Sequence, residues 1–162
     1  MTTRVVIVRH GQSSYNAERR IQGRSDASVL TEKGAEDARK VGIALSNLKF
    51  AAVYTSPLQR AKQTAEILVG CLATTSTLTA TEQLLEIDLP LWQGLLSQEV
   101  RDNFPEYDNW IYHPEQLVML VPQAQGTKEH FPVLALYEQA KQFWQEILPR
   151  HQGETILIVG HN

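Results

Sequence analysis

The period of the apolar positions changes several times along the chain. Two runs, RVVIV (Arg4 to Val8) and TILIV (Thr155 to Val159), are apolar at successive positions, as a strand covered on both faces requires. Both are expected near the centre of a sheet. AAVYTS (Ala51 to Ser56) predicts a third strand and TSTLTA (Thr75 to Ala80) a fourth. Between them the period becomes helical. LTEKGAEDARKVGIALSNL has Thr31 as N-cap and places Ala35, Ala38, Val41, Ala44, Leu45 and Leu48 on one face. In SPLQRAKQTAEILV, Ser56 is the expected cap, Pro57 takes the first helical position, and Gln59 completes a capping box. A last helix, VLALYEQAKQFWQEIL, precedes TILIV. From Leu84 to about Pro132 the pattern breaks into turns, aromatics and prolines, expected as an insertion over the sheet rim. Alternating strands and helices predict an α/β fold of three layers, α/β/α, with a mainly parallel central sheet and a single domain over residues 1–162.

Composition narrows the function classes. At 162 residues and 43% hydrophobic content the chain can bury a core, and its net charge of −3 is spread among interspersed acids and bases. That balance gives no global attraction to nucleic acid or to an anionic membrane, so an anion site has to be local. The apolar run near the N-terminus is too short for a signal peptide or a spanning helix. The single cysteine, Cys71, reads as a small hydrophobe at a helix end and fits a reducing compartment, so the expected location is cytoplasmic.

Two of the buried runs end on chemistry. VRHG and VGHN each put a histidine, His10 and His161, just past the carboxyl end of a strand, where open α/β sheets hold their ligands. Arg9 precedes the first histidine. Arg60, near the start of the helix that follows SP, can lean back over that helix's first turn, where free N–H groups and the positive end of the dipole are expected. With Asn16 and the backbone near Gly11 this is a set of donors that suits an oxyanion, phosphate in particular, because forked guanidinium groups match its geometry. No carboxylate cluster or cysteine pair accompanies the histidines at ligand spacing, so no metal is expected. An imidazole beside fixed positive charge is held neutral and is then a nucleophile. A departing alkoxide needs a proton, and LLEIDLPLWQG offers Glu86 or Asp88. His113, His130 and His151 read as surface residues.

RHG with Asn16, QGRSDASVLTEKG, TSPLQRAKQTA, LLEIDLPLWQG and IVGHN together resemble the histidine phosphatase superfamily, also called the phosphoglycerate mutase-like family. The likeness runs the length of the chain in order. It implies a phosphoglycerate mutase-like fold and a metal-independent phosphomonoesterase that works through phosphohistidine, with no cofactor and a small phosphorylated metabolite as its partner. His10 would be the nucleophile and Glu86 the proton donor. His161 would join them in the catalytic set, while Arg9, Gly11, Asn16, Gln22, Gly23 and Arg60 would bind the phosphate. EIDLPLWQG is more similar to the phosphatase branch than to the mutases, and resembles the carboxyarabinitol phosphate phosphatase-like group within it. Two alternatives stay open: a bisphosphoglycerate-dependent mutase, hence an isomerase, and a non-catalytic domain that binds a phosphate ligand or a protein. Gln12 stands where the family often carries Glu. Family members continue after GHN into a helix and usually an edge strand, so the expectation for a chain ending at Asn162 is a truncated domain or one part of a longer chain. A tandem domain or a second copy would then cover the open strand.

Overall fold

The computed structural model describes residues 2–73 and 77–162. In chain order the main elements are β1 (Arg4–Arg9), α1 (Ser14–Glu18), α2 (Glu32–Leu45), β2 (Ala52–Thr55), α3 (Gln59–Cys71) and β3 (Thr77–Ala80). They continue with α4 (Ser97–Asn103), α5 (Tyr107–Tyr112), β4 (Met119–Pro122), β5 (Thr127–His130), α6 (Pro132–Ile147) and β6 (Thr155–Gly160). Four strands form an all-parallel sheet in the order β1-β6-β2-β3. Of the expected fourth strand, Thr75 and Ser76 lie outside the described residues.

Helices cover both faces. Val53, Leu157 and Val159 pack with Phe50 and with Ala65 and Leu68 of α3, and Leu45 at the end of α2 joins them. On the other face Ala52, Tyr54, Ile156 and Ile158 meet Phe143 and Ile147 of α6. The continuous apolar run of β6 is explained by its central place, with both faces and both edges occupied. β1 has the same kind of run yet does not sit at the centre. Among the described residues it pairs only with β6, and Ile7 is 64% exposed. Successive apolar residues report what a strand can tolerate on its faces, not how many neighbours it has.

Two helices also differ from their sequence patterns. Thr31 caps α2 as expected, its hydroxyl accepting the Gly34 N–H. The buried stripe, however, is Gly34, Ala38 and Gly42, while Val41 and Ala44 face solvent. Small residues let α2 close onto α3: a Cβ at Gly42 would stand 2.8 Å from the Cβ of Cys71. Helix α3 starts at Gln59, not at Ser56. The Ser56 hydroxyl accepts only the Leu58 N–H (3.3 Å), and the Gln59 N–H donates instead to the carboxylate of Asp26 (2.7 Å), a cap supplied from a distant loop.

The irregular middle is an insertion with a core of its own. Trp92 is buried among Ile87, Leu89, Val100, Leu117 and Met119, and Phe104, Tyr107 and Trp110 ring it. Short helices α4 and α5 and the antiparallel pair β4–β5 are folded around that tryptophan. Two histidines are more engaged than surface residues. His151 pairs with the Tyr54 hydroxyl (2.8 Å) and the Glu154 carboxylate (2.7 Å), and His130 Nε2–H donates to the Asp88 carbonyl (3.0 Å). His113 is exposed. No helix among the described residues is long and apolar enough to cross a membrane.

Candidate active site

Sheet register brings the two site histidines together. Arg9 of β1 lies opposite Gly160 of β6, so the next residue on each strand, His10 and His161, leaves the sheet at the same level. The His10 N–H donates to the Gly160 carbonyl (2.9 Å), continuing the ladder one step. The rings meet edge to face with centroids 5.2 Å apart. Neither side chain reaches solvent to any extent: His10 is 5% exposed and the His161 side chain 4%.

The nitrogens of His10 have different partners. Nδ1 is 2.7 Å from the Gly11 carbonyl, which can only accept, so Nδ1 carries the proton in the neutral ring and Nε2 carries the lone pair. Nε2 is buried and has no partner among the described residues. Burial, then the charges of Arg60 and Arg9, lower the His10 pKa to about 4 despite the bond to Gly11. His161 is lowered to about 3 by burial and by Arg60, His10 and Arg9. Both imidazoles are therefore neutral at neutral pH.

Arg60, the second residue of α3, is fully buried and is held by a turn. Its Nη1 donates to the Ser25 carbonyl and its Nη2 to the Gly23 carbonyl, each at 2.9 Å. Burial pushes the guanidinium below its usual value and Glu86 and Asp26 pull it back; a guanidinium stays protonated throughout. Glu86 stands on the connection after β3, with Oε2 3.6 Å from His161 Nδ1, and its Oε1 accepts the Ile87 N–H (3.0 Å). Burial raises the Glu86 carboxyl above the ordinary carboxylate range, more than Ile87, Arg60 and Arg9 lower it. Asp88 is two residues on, with its carboxylate 3.8 Å from His130.

The remaining predicted residues are placed less uniformly. Arg9, Gln22, Gly23 and Glu86 line one cavity of about 240 Å³, together with Arg20 and Trp110. Asn16 belongs to a capping box with Ser13, which occupies its Oδ1 and leaves only Nδ2 for a ligand. The Gln22 Oε1 accepts the hydroxyls of Ser13 and Ser28. Gly11 is not a free backbone donor, because its N–H is given to the Thr64 hydroxyl (3.0 Å) and its carbonyl takes His10. Nor is the first N–H of α3 free for an anion, since Asp26 holds it. Thr64, Arg24 and Gln93 act in this region without having been singled out by sequence. A helix-interior threonine and two loop residues carry no local signal.

Buried polar atoms normally find partners. Five buried side-chain nitrogen or oxygen atoms among the described residues have none, and four of them belong to His10, Arg60 and His161. An acid and a nucleophilic nitrogen beside fixed cations form a site that can receive a phosphoryl group on nitrogen and protonate what leaves. Among the described residues no three His, Cys, Asp or Glu side chains gather at metal-ligand range.

The chain is similar to known proteins along nearly all of its length. The model of the histidine phosphatase superfamily (branch 1) matches residues 5–162. A probable 2-carboxy-D-arabinitol-1-phosphatase of Arabidopsis thaliana is 41% identical over 99% of this chain and 31% of its own length. Phosphoserine phosphatase 1 of Hydrogenobacter thermophilus is 30% identical over 98% of this chain and 70% of its own. Among solved structures, Bacillus stearothermophilus YhfR superposes with a TM-score of 0.84 at 37% identity, over 99% of this chain and 74% of that one. The chain spans about a third of the length of the two carboxyarabinitol phosphatase relatives it matches.

Proposed function

Because the chain belongs to the histidine phosphatase superfamily, branch 1, we propose that it hydrolyses a small phosphomonoester through a phosphohistidine intermediate on His10. The observation that carries this is the unpartnered Nε2 of His10, whose tautomer is set by the bond from Nδ1–H to Gly11. In the first step Nε2 attacks phosphorus as the P–O bond to the leaving group breaks, and the Glu86 carboxyl gives its proton to the departing oxygen. In the second step the Glu86 carboxylate takes a proton from water, whose oxygen attacks phosphorus and releases neutral His10 and phosphate. Arg9, Arg60, His161 and the Nδ2 of Asn16 are assigned to the phosphoryl oxygens. Gln22 and Gly23 are assigned to the wall beside them.

A cavity of about 240 Å³, lined by Arg9 and Glu86 but not by His10, Arg60 or His161, is of a size for the organic part of a small ester. The names of the relatives point the same way, toward phosphates of 2-carboxyarabinitol and of serine, both small hydroxy acids. The lone Cys71 supports a reducing, cytoplasmic setting. The test is to react the protein with a radiolabelled phosphomonoester, quench in base and map the label. Acid-labile, base-stable label on His10, absent from His10→Ala, is expected. Label that is recovered in a second sugar or acid and not as inorganic phosphate identifies a mutase, and absence of any label overturns the reading.

A further inference from the structure

The segment carrying Glu86 belongs to no helix or strand, yet two consecutive carbonyls of its backbone are pinned. Arg24 Nε donates to the Glu86 carbonyl (3.1 Å), Arg24 Nη2 donates to Gln139 Oε1 (2.9 Å), and Gln139 Nε2 donates to the Leu85 carbonyl (2.8 Å). This chain of bonds joins the turn after α1, the connection after β3 and helix α6. It also fixes the Gln139 amide, whose oxygen must face the guanidinium and whose nitrogen must face Leu85.

Arg24 is itself held in place. Its N–H donates to Gln93 Oε1 (2.6 Å), and the carbonyls on either side of it, those of Gly23 and Ser25, accept the two arms of Arg60. One turn therefore sets the position of both Arg60 and Glu86. Among the described residues the Glu86 carboxyl has a single hydrogen bond, from the neighbouring Ile87 N–H, so its place depends on its backbone.

We propose that Arg24 and Gln139 are a positioning pair that holds the Glu86 carboxyl at the leaving oxygen. The proposal rests on Glu86 being the proton donor. Arg24 bonds the Glu86 backbone, while Arg60 and Arg9 are the arginines whose charge lowers the carboxyl pKa. A displaced acid fails most where the leaving group needs protonation, and small misplacements caused away from the chemistry can cost on the order of 10²-fold.

The experiment measures single-turnover phosphorylation of His10 in the full chain, with an alkyl phosphate and with an activated aryl phosphate. The proteins compared are the parent, Arg24→Lys, Arg24→Met, Gln139→Leu and the Arg24→Met/Gln139→Leu double variant. The expected result is a loss on the order of 10²-fold with the alkyl ester and little change with the aryl ester. The double variant should be no slower than the worse single one, because the two side chains act as a unit. In Arg24→Lys and Gln139→Leu, which leave the local charge unchanged, the pH at which alkyl-ester phosphorylation falls off should not move. Equal slowing of both esters, independent losses from the two residues, or a moved pH limb in Arg24→Lys or Gln139→Leu would each overturn the pair. Should Arg24→Met not fold, Arg24→Lys, which keeps the charge but cannot span both acceptors, and Gln139→Leu still decide the matter. If the parent itself forms no phosphohistidine, the reading of the site fails and the pair's role falls with it.

Discussion

His10 and His161 meet edge to face at 5.2 Å and 62°, each at the tip of one of two paired parallel strands. Two imidazoles this close cannot both be charged beside Arg60 and Arg9, and burial has already removed the water that would support the charge. Burial above all, with Arg60 and Arg9, keeps both rings neutral and ties the site's electrostatics to the stability of the fold.

Stability should therefore fall on acidification, beginning near the unfolded histidine value. His10 changes from 6.5 to about 4 and His161 from 6.5 to about 3, so below pH 6.5 the unfolded chain binds protons that the folded chain refuses. The stabilisation is complete above pH 6.5 and is lost as pH falls toward 4 for His10 and 3 for His161, on the order of 3 kcal/mol for His10 alone. Glu86 acts with the opposite sign: its raised pKa favours the folded state at low pH and is one group against two. Urea titrations from pH 7 to 4 should show this slope, and His10→Asn should flatten it by close to one proton. An unchanged slope in that variant would mean that His10 is already charged in the folded protein.

Much of this architecture is legible in the sequence because burial leaves a local pattern. β6, β2 and α6 lie close to where their apolar positions put them, and the histidines at the strand ends follow from the runs before them. What escapes is non-local. Ser56 and Pro57 look like a helix start, yet the donor at Gln59 is satisfied by Asp26, 33 residues earlier in the chain. Gln93 and Gln139 are amides in a chain with many, and only the fold brings Gln93 to the Arg24 N–H and Gln139 to the Arg24 guanidinium and the Leu85 carbonyl. The insertion reads as loop because its core is one tryptophan and its neighbours, gathered from segments too short to show a period.

Helical glycines offer a contrast that sequence alone would miss. Gly70, near the end of α3, has nothing within 4 Å of an added Cβ, so Gly70→Ala should stabilise by up to about 1 kcal/mol through backbone entropy. Gly42 has the same helix preference, but its Cβ would press on Cys71 at 2.8 Å, with the Sγ at 3.0 Å. Gly42→Ala should thus lose stability, by about 1–3 kcal/mol as α2 and α3 are forced apart. Thermal melts of the two variants should move in opposite directions. Should both rise, the α2–α3 contact is looser than the structure has it.

Glu86 sets the last expectation, because an acid works only while protonated. In the free enzyme the rate of His10 phosphorylation should rise as His10 loses its proton through about pH 4 and fall as Glu86 loses its own. Since burial lifts the Glu86 value, the acid persists to a higher pH than an ordinary carboxyl would. The substrate phosphate also ionises, near pH 6 or about that, and this affects every ester alike. An aryl ester, whose phenolate leaves without help, reports His10 and the substrate's ionisation, while an alkyl ester reports these plus Glu86. The pH limb present only with the alkyl ester should disappear in Glu86→Gln, with a loss of roughly 10²- to 10⁴-fold in alkyl phosphorylation. Asp88→Asn should leave the limb in place, because the Asp88 carboxylate lies beside His130 and its side chain is 31% exposed. If instead Asp88→Asn removes the limb and Glu86→Gln does not, the proton comes from Asp88, and Arg24 and Gln139 position a bystander.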